Sequence, residues 1–442
     1  MTLLRRTDDR QGTLDLFPFG ADGLAVELRG AGLLVGVATA AATFAHLFTH
    51  SAKWVMHHLY GADGPVSAAR NVPWWVVAPI IAATVMFAVF VAGAARRFGS
   101  GRTGLSHIAA AARGESDGPS IRATMVRSTG TWAMSTGLVS IGRESAIIEM
   151  GGGFGTAAGR HGRFSPSLAA GGIVAAFAAA YHAPIAGVLY VEEHLGVRHQ
   201  RRAVLYTVVG ALIGHVVSVR LLHGAPILPD TQGGRGDMIV LGLIALAPTV
   251  IASRGFFELR ARLTVDRARR RWTRRLPVVV PFIALTALAV TFSRFAAGNG
   301  LEALQLAADE PMLSVAISMA VIRLIATTTS LGAGAPGGVI LPTMSIAAGW
   351  ALLTFELVEA AGVDLPGSRW DGMVVAMVIG VAVGIRSPLV AVFLVPEMLG
   401  DLSLVPIAAV TVLAAMTLDR GVGRALNTFA RRVPSVVYDE DA

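Results

Sequence analysis

Along most of this chain, hydrophobic residues neither alternate with polar ones at the period of a half-buried strand nor mark one stripe of a surface helix. They run on unbroken, at residues 31–45, 75–95, 203–222, 239–252, 278–292, 314–326, 349–361 and 373–383. A helix needs ~20 such residues to cross a bilayer, so these stretches and the apolar runs between them predict on the order of ten spanning or half-spanning helices. Transmembrane barrels read as alternating segments, which this pattern does not contain. The expected class is an all-α, polytopic membrane protein with the lipid bilayer as its surroundings.

Composition agrees. Of 442 residues, 54% are hydrophobic and only 15% charged, more apolar than a water-soluble globule, and the mean hydropathy is +0.61. A formal net charge of +8 raises the question of nucleic acid. The arginines, however, cluster between apolar runs instead of forming one face: Arg5, Arg6 and Arg10; Arg96, Arg97 and Arg102; Arg160 and Arg163; Arg198, Arg201 and Arg202; residues 262–275; Arg431 and Arg432. The excess of basic residues on cytoplasmic loops accounts for them, so nucleic acid is not an expected partner and both termini are expected inside. The glycine-, proline- and aspartate-rich connections 61–73, 223–237 and 362–371 are expected outside. Residues 1–30 are polar and mixed in charge and read as a cytoplasmic segment, not a secretory peptide. Cysteine is absent, which removes disulfides and thiolate chemistry.

An internal repeat carries more information. Residues 183–193 read APIAGVLYVEE and residues 387–397 read SPLVAVFLVPE, matching in a small residue, proline, branched aliphatics and a terminal glutamate. The transmembrane domain, 31–432, therefore divides into halves at about 31–222 and 238–432, with 433–442 left as a cytoplasmic tail. Paired halves of about 200 residues with broken apolar segments are the pattern of transporters that bind substrate at the repeat interface. Glycines break the apolar runs at FGSGRTG (98–104), GRESA (142–146) and GAGAPGGVILP (332–342). Non-helical backbone at membrane depth is tolerated where it lines a cavity. The helices that follow point their positive ends into it, which favours an anion. Each end contributes only ~0.3–1 kcal/mol when exposed and ~2 when partly buried, so several must converge to offset dehydration of the ion.

These residues resemble the CLC family of chloride channels and chloride/proton antiporters. GSGRT (99–103) is similar to the family's GSGIP, GRESA to GREGP, and GVILP (338–342) to GxFxP; APIAGVLYVEE resembles the stretch ending in an internal proton-transfer glutamate. The motifs fall in family order, and the resemblance covers most of the chain. It implies a homodimer with one pore and two inverted halves per subunit, carrying chloride or another small anion, and protons, across the cell inner membrane with no cofactor. Carried over by position, Glu144 is the gating glutamate and Glu193 the internal proton acceptor. Ser100, Gly142, Arg143 and the backbone amides of Val339 and Ile340 bind the anion. Alternative readings of the same residues are an ion pair of Glu144 with Arg143, an interfacial pairing of Glu193 with the nearby arginines, Glu192 in its place, and a helix cap for Ser100. The internal glutamate favours antiport over a passive chloride channel or uncoupled carrier.

Departures from the family pattern bear on coupling. Ser145 and Ala146 replace glycine and proline beside the gate, Arg102 and Thr103 replace apolar and rigid residues, and Ile340 replaces a phenylalanine. The family's inner pore tyrosine corresponds to Ala425, and Glu149 stands where glutamine is usual, as a pore-rim or packing residue. Other chemistries find little support. HLFTH (46–50) lacks the glutamate of a zinc-protease helix, GGGFGTAAG follows no strand, and GAGAPGG lacks the lysine of a phosphate loop. No metal site is expected, and an intramembrane enzyme built on Glu144 or Glu193 is the remote alternative.

Overall fold

The computed structural model describes residues 21–98, 104–159, 164–197, 201–222, 227–264, 276–309 and 311–432. Among these the first half contains α1 (Ala21–Tyr60), α2 (Pro65–Asn71), α3 (Trp74–Ala95), α4 (Leu105–Ala112), α5 (Ile121–Thr136), α6 (Glu144–Gly159), α7 (Ser165–Tyr181), α8 (Pro184–Leu189) and α9 (Arg201–Val216). The second contains α10 (Arg235–Thr264), α11 (Leu276–Phe292), α12 (Leu301–Asp309), α13 (Leu313–Ile317), α14 (Arg323–Gly332), α15 (Ile340–Ala360), α16 (Arg369–Ile379), α17 (Pro388–Leu399) and α18 (Val405–Arg432). Among the described residues, seven helical spans are long and apolar enough to cross a membrane, and three shorter apolar helices accompany them. α1 begins ten residues ahead of the apolar run at 31, because the polar approach to it still propagates a helix.

Local sequence sets the helix starts. Pro65, Pro184 and Pro388 open α2, α8 and α17, where a missing amide hydrogen costs nothing. Ser120 caps α5 by accepting the Ala123 amide at 3.2 Å. The glycines that punctuate the apolar runs also let helices touch backbone to backbone. A Cβ on Gly151 would strike the carbonyl of Gly172, and one on Gly155 that of Leu168, so α6 and α7 pack without side chains between them.

Hydrogen bonds link several of the connections. Gln232 donates its amide to buried Asp371 at 3.0 Å, joining two of the connections expected outside. Ser120 Oγ donates to the carbonyl of Phe98 at 2.7 Å and Arg113 to that of Leu195 at 2.7 Å, gathering the connections that follow α3, α4 and α8. The two halves oppose each other through α8 and α17, which lie antiparallel, and through the starts of α6 and α15.

Candidate anion site

Two of the three glycine-rich breaks, one from each half, meet. Gly142 lies two residues ahead of α6 and Gly338 two ahead of α15; the Gly142 amide donates to the Gly338 carbonyl at 2.9 Å, and the Gly338 amide donates back at 2.7 Å. This antiparallel bridge demands glycine on both sides. A Cβ on Gly142 would stand 2.7 Å from the Gly338 oxygen, and one on Gly338 would stand 2.8 Å from Glu144 Oε2 and 3.2 Å from the Ser145 nitrogen. The first amides of a helix have no partner within it. The bridge therefore brings the leading amides of α15, those of Val339 and Ile340, beside the leading amides of α6.

Glu144 is the first residue of α6 and is 2% exposed. Its Oε1 accepts a hydrogen bond from Asn299 Nδ2 at 3.4 Å, a residue of the second half, rather than from Arg143. Its Oε2 has no hydrogen-bond partner among the described residues, a costly condition for a buried carboxylate. Half-buried Arg143 and the buried Tyr181, at the end of α7, are the charged and titratable groups that face it.

Further down α6, Glu149 is also 2% exposed. Arg127 of α5 donates Nε to both its oxygens, at 3.0 and 3.3 Å, and the Leu105 amide at the start of α4 faces the same carboxylate. Glu149 is thus one half of a buried ion pair that ties α4, α5 and α6 together, not a pore-rim contact. A lone carboxylate at this depth would be prohibitive; the guanidinium on the neighbouring helix makes it tolerable.

Glu193 stands apart from Glu144. Its two oxygens accept the amides of Leu389 and Val390, each at 3.0 Å, at the start of α17. Glu397, the equivalent residue of the repeat, accepts the amides of Ile185 and Ala186 at 2.9 and 2.8 Å, at the start of α8. Glu397 near the end of α17 caps α8, and Glu193, in the π-helical turn Tyr190–His194 that follows α8, caps α17. Arg202 pairs with Glu27 at 2.5 Å rather than with Glu193. Ser100, Arg102 and Thr103 lie outside the described residues; Ala425 falls within α18, with its side chain outside them.

Asn299, Arg127, Tyr181 and Glu397 escaped the sequence reading. GNG at 298–300 carried a turn signal, and the terminal glutamate of the second repeat was in view without a role, but pairing across halves is invisible to local pattern. Among the described residues no three His, Asp or Glu side chains form a set able to hold a metal; His46 and His50 stack on each other, ring centroids 4.4 Å apart.

Broken helices from two opposed halves, converging with free amides on a buried carboxylate, define a carrier or channel for small anions. Comparison with known proteins says the same: the family described as voltage gated chloride channel matches residues 84–420. The chain belongs to the CLC family, whose members are anion transporters and channels and not enzymes. It is similar to the voltage-gated ClC-type chloride channel ClcB of Salmonella typhimurium, 28% identical over 323 residues that cover 68% of this chain and 73% of that protein. The ClcB of Escherichia coli O81 is 26% identical over 323 residues, covering 68% and 74%. Among solved structures, a slow cyanobacterial Cl−/H+ antiporter shares the fold with a TM-score of 0.71 at 20% identity, over 89% of this chain and 95% of its own. A CLC-type fluoride/proton antiporter does so with a TM-score of 0.71 at 17% identity, over 91% and 97%.

Proposed function

We propose that this protein exchanges chloride or a similar small anion for protons across the inner membrane, with Glu144 as the gate. The observation that supports this most directly is the position of the Glu144 carboxylate, buried against the Gly142–Gly338 bridge with one oxygen unpartnered, where the amides of both halves begin. An ionised carboxylate there competes with the transported anion for the same amides. Once protonated it no longer attracts them, and the anion takes its place. The ionised carboxylate and the transported anion are thereby alternative occupants of one site, and binding of a proton decides between them, which links proton movement to anion entry.

Ser100, ahead of α4, and Arg143 complete the anion's surroundings in this reading, with the Val339 and Ile340 amides supplied by the second half. Glu193 hands protons to and from the cytoplasm, the working unit is a homodimer, and both termini are cytoplasmic. A second reading, passive chloride conduction, draws on the Glu193 geometry: its oxygens are already held by the α17 amides, so proton transfer there requires the carboxylate to release them.

The test is proton movement in proteoliposomes under an imposed chloride gradient, with voltage clamped by potassium and valinomycin. Uphill proton transport is expected, and Glu144→Gln is expected to leave anion flux that no longer depends on pH. Proton pumping retained in that variant removes Glu144 from the mechanism, and absence of anion flux in the native protein removes the function.

A further inference from the structure

The reading of Glu144 as gate leaves open what holds its side chain on the side facing the second half. The loop after α11 is built for one task. Arg323 of α14 is 0% exposed, a charge buried in the protein interior. Its guanidinium donates to the carbonyls of Ala297 and Gly298, each at 2.9 Å, and to that of Phe295. Three backbone acceptors on one loop engage the two terminal nitrogens of Arg323 and fix the loop, while Nε has no partner among the described residues. Asn299 follows immediately, flanked by Gly298 at φ +66° and Gly300 at φ +101°, both in the left-handed region that side chains avoid. At Gly300 a Cβ would also lie 2.6 Å from that of Ser345.

The orientation of the Asn299 amide is settled by its other contact. Its Oδ1 accepts the Leu301 amide at 3.2 Å, at the start of α12, so the NH2 end faces Glu144 Oε1. We infer that Asn299 is a positioning residue for the gate, a donor held rigidly by Arg323 that retains the Glu144 carboxylate in its closed place. It touches the carboxylate and acts on the anion only through it. The other charged or titratable groups facing Glu144 are Arg143 and Tyr181; Glu149, on the same helix, is already paired with Arg127.

This inference rests on the gating role of Glu144, and the experiment separates the two. Anion flux is measured against pH in proteoliposomes for the native protein, Asn299→Asp, Asn299→Ala, Glu144→Gln, and Glu144→Gln combined with Asn299→Asp. Asn299→Asp keeps an oxygen to cap α12 and exchanges the donor for a second carboxylate, and a monodisperse elution profile verifies that it folds. With the donor gone, the gate releases at lower proton concentration. The pH of half-maximal flux is expected to rise by about half a unit in Asn299→Ala and by about one unit or more in Asn299→Asp, where a second carboxylate faces the first. In the Glu144→Gln background the substitution is expected to have no effect on the profile. An unmoved midpoint in Asn299→Asp, alongside a Glu144→Gln protein that has lost its pH dependence, overturns the role of Asn299 alone. A Glu144→Gln protein whose pH dependence persists overturns the gate itself.

Discussion

Substituting glutamine for Glu193 and, separately, for Glu397 exploits the duplication as its own control. Each carboxylate accepts two backbone amides, at 3.0 and 3.0 Å for Glu193 and at 2.9 and 2.8 Å for Glu397. Glutamine keeps one acceptor oxygen and turns its NH2 group against the second amide, so one bond of each pair is lost. The surviving bond falls from the ~1.5–3 kcal/mol of a charged acceptor to the ~0.5–1.5 kcal/mol of a neutral one. Removing negative charge from a helix start adds ~0.3–1 kcal/mol. Both side chains are half-buried, so solvent recovers part of this, and about 2–4 kcal/mol of destabilisation is expected for either variant. Denaturant unfolding of the detergent-solubilised protein measures that, and proton flux in liposomes is measured on the same preparations. If Glu193 also carries protons, the two variants lose similar stability while only Glu193→Gln loses proton coupling. Equal stability loss with coupling intact in both would leave Glu193 as a cap and nothing more. A stability loss confined to one of the two would refute the equivalence of the caps.

Gly142→Ala is expected to separate the two breaks, because its Cβ would stand 2.7 Å from the Gly338 oxygen and 2.9 Å from its carbonyl carbon. Overpacking of that kind costs ~1–3 kcal/mol, and anion affinity by calorimetry should fall with stability; an unchanged titration would count against the bridge as part of the site. Glu149→Gln leaves the Arg127 charge without its partner, at a cost approaching ~3–5 kcal/mol, less a discount for the 22% exposure of the arginine side chain. Replacing both residues with glutamine should recover much of that stability, and failure to recover any would show that the pair is not what stabilises the α5–α6 contact. Arg323→Met should lower the unfolding midpoint and shift the flux profile in the same direction as Asn299→Asp. A shift in the opposite direction would break the proposed link between Arg323, the loop and the gate.

The membrane class, the duplication and the helix breaks were legible in the sequence because each depends on local statistics: run length, repeated motif, glycine within apolar surroundings. Gly142 and Gly338 could be singled out as breaks, but not as partners, since nothing near either names the other. The same limit explains Glu193. Its spacing after Pro184 matches that of Glu397 after Pro388, yet only the three-dimensional arrangement shows each glutamate reaching across to the other helix. Of the two roles open to Glu149, pore rim or packing, the ion pair with Arg127 matches the second, and the sequence could not name that partner because Arg127 lies on the preceding helix and looks like one more scattered arginine. Gly151 and Gly155, within the GGGFGTAAG run that carried no dinucleotide fingerprint, sit inside α6 and serve its close approach to α7.

The bridge between Gly142 and Gly338 has a consequence for how such a protein changes over generations. Ligands drawn from the main chain are indifferent to which side chain follows them, provided the glycines stay. The replacement of phenylalanine by isoleucine at 340, or of glycine and proline by Ser145 and Ala146, alters the lining without deleting an amide donor. Under the proposed role of this site, substitutions at those neighbouring positions reshape its lining while the main-chain donors stay in place.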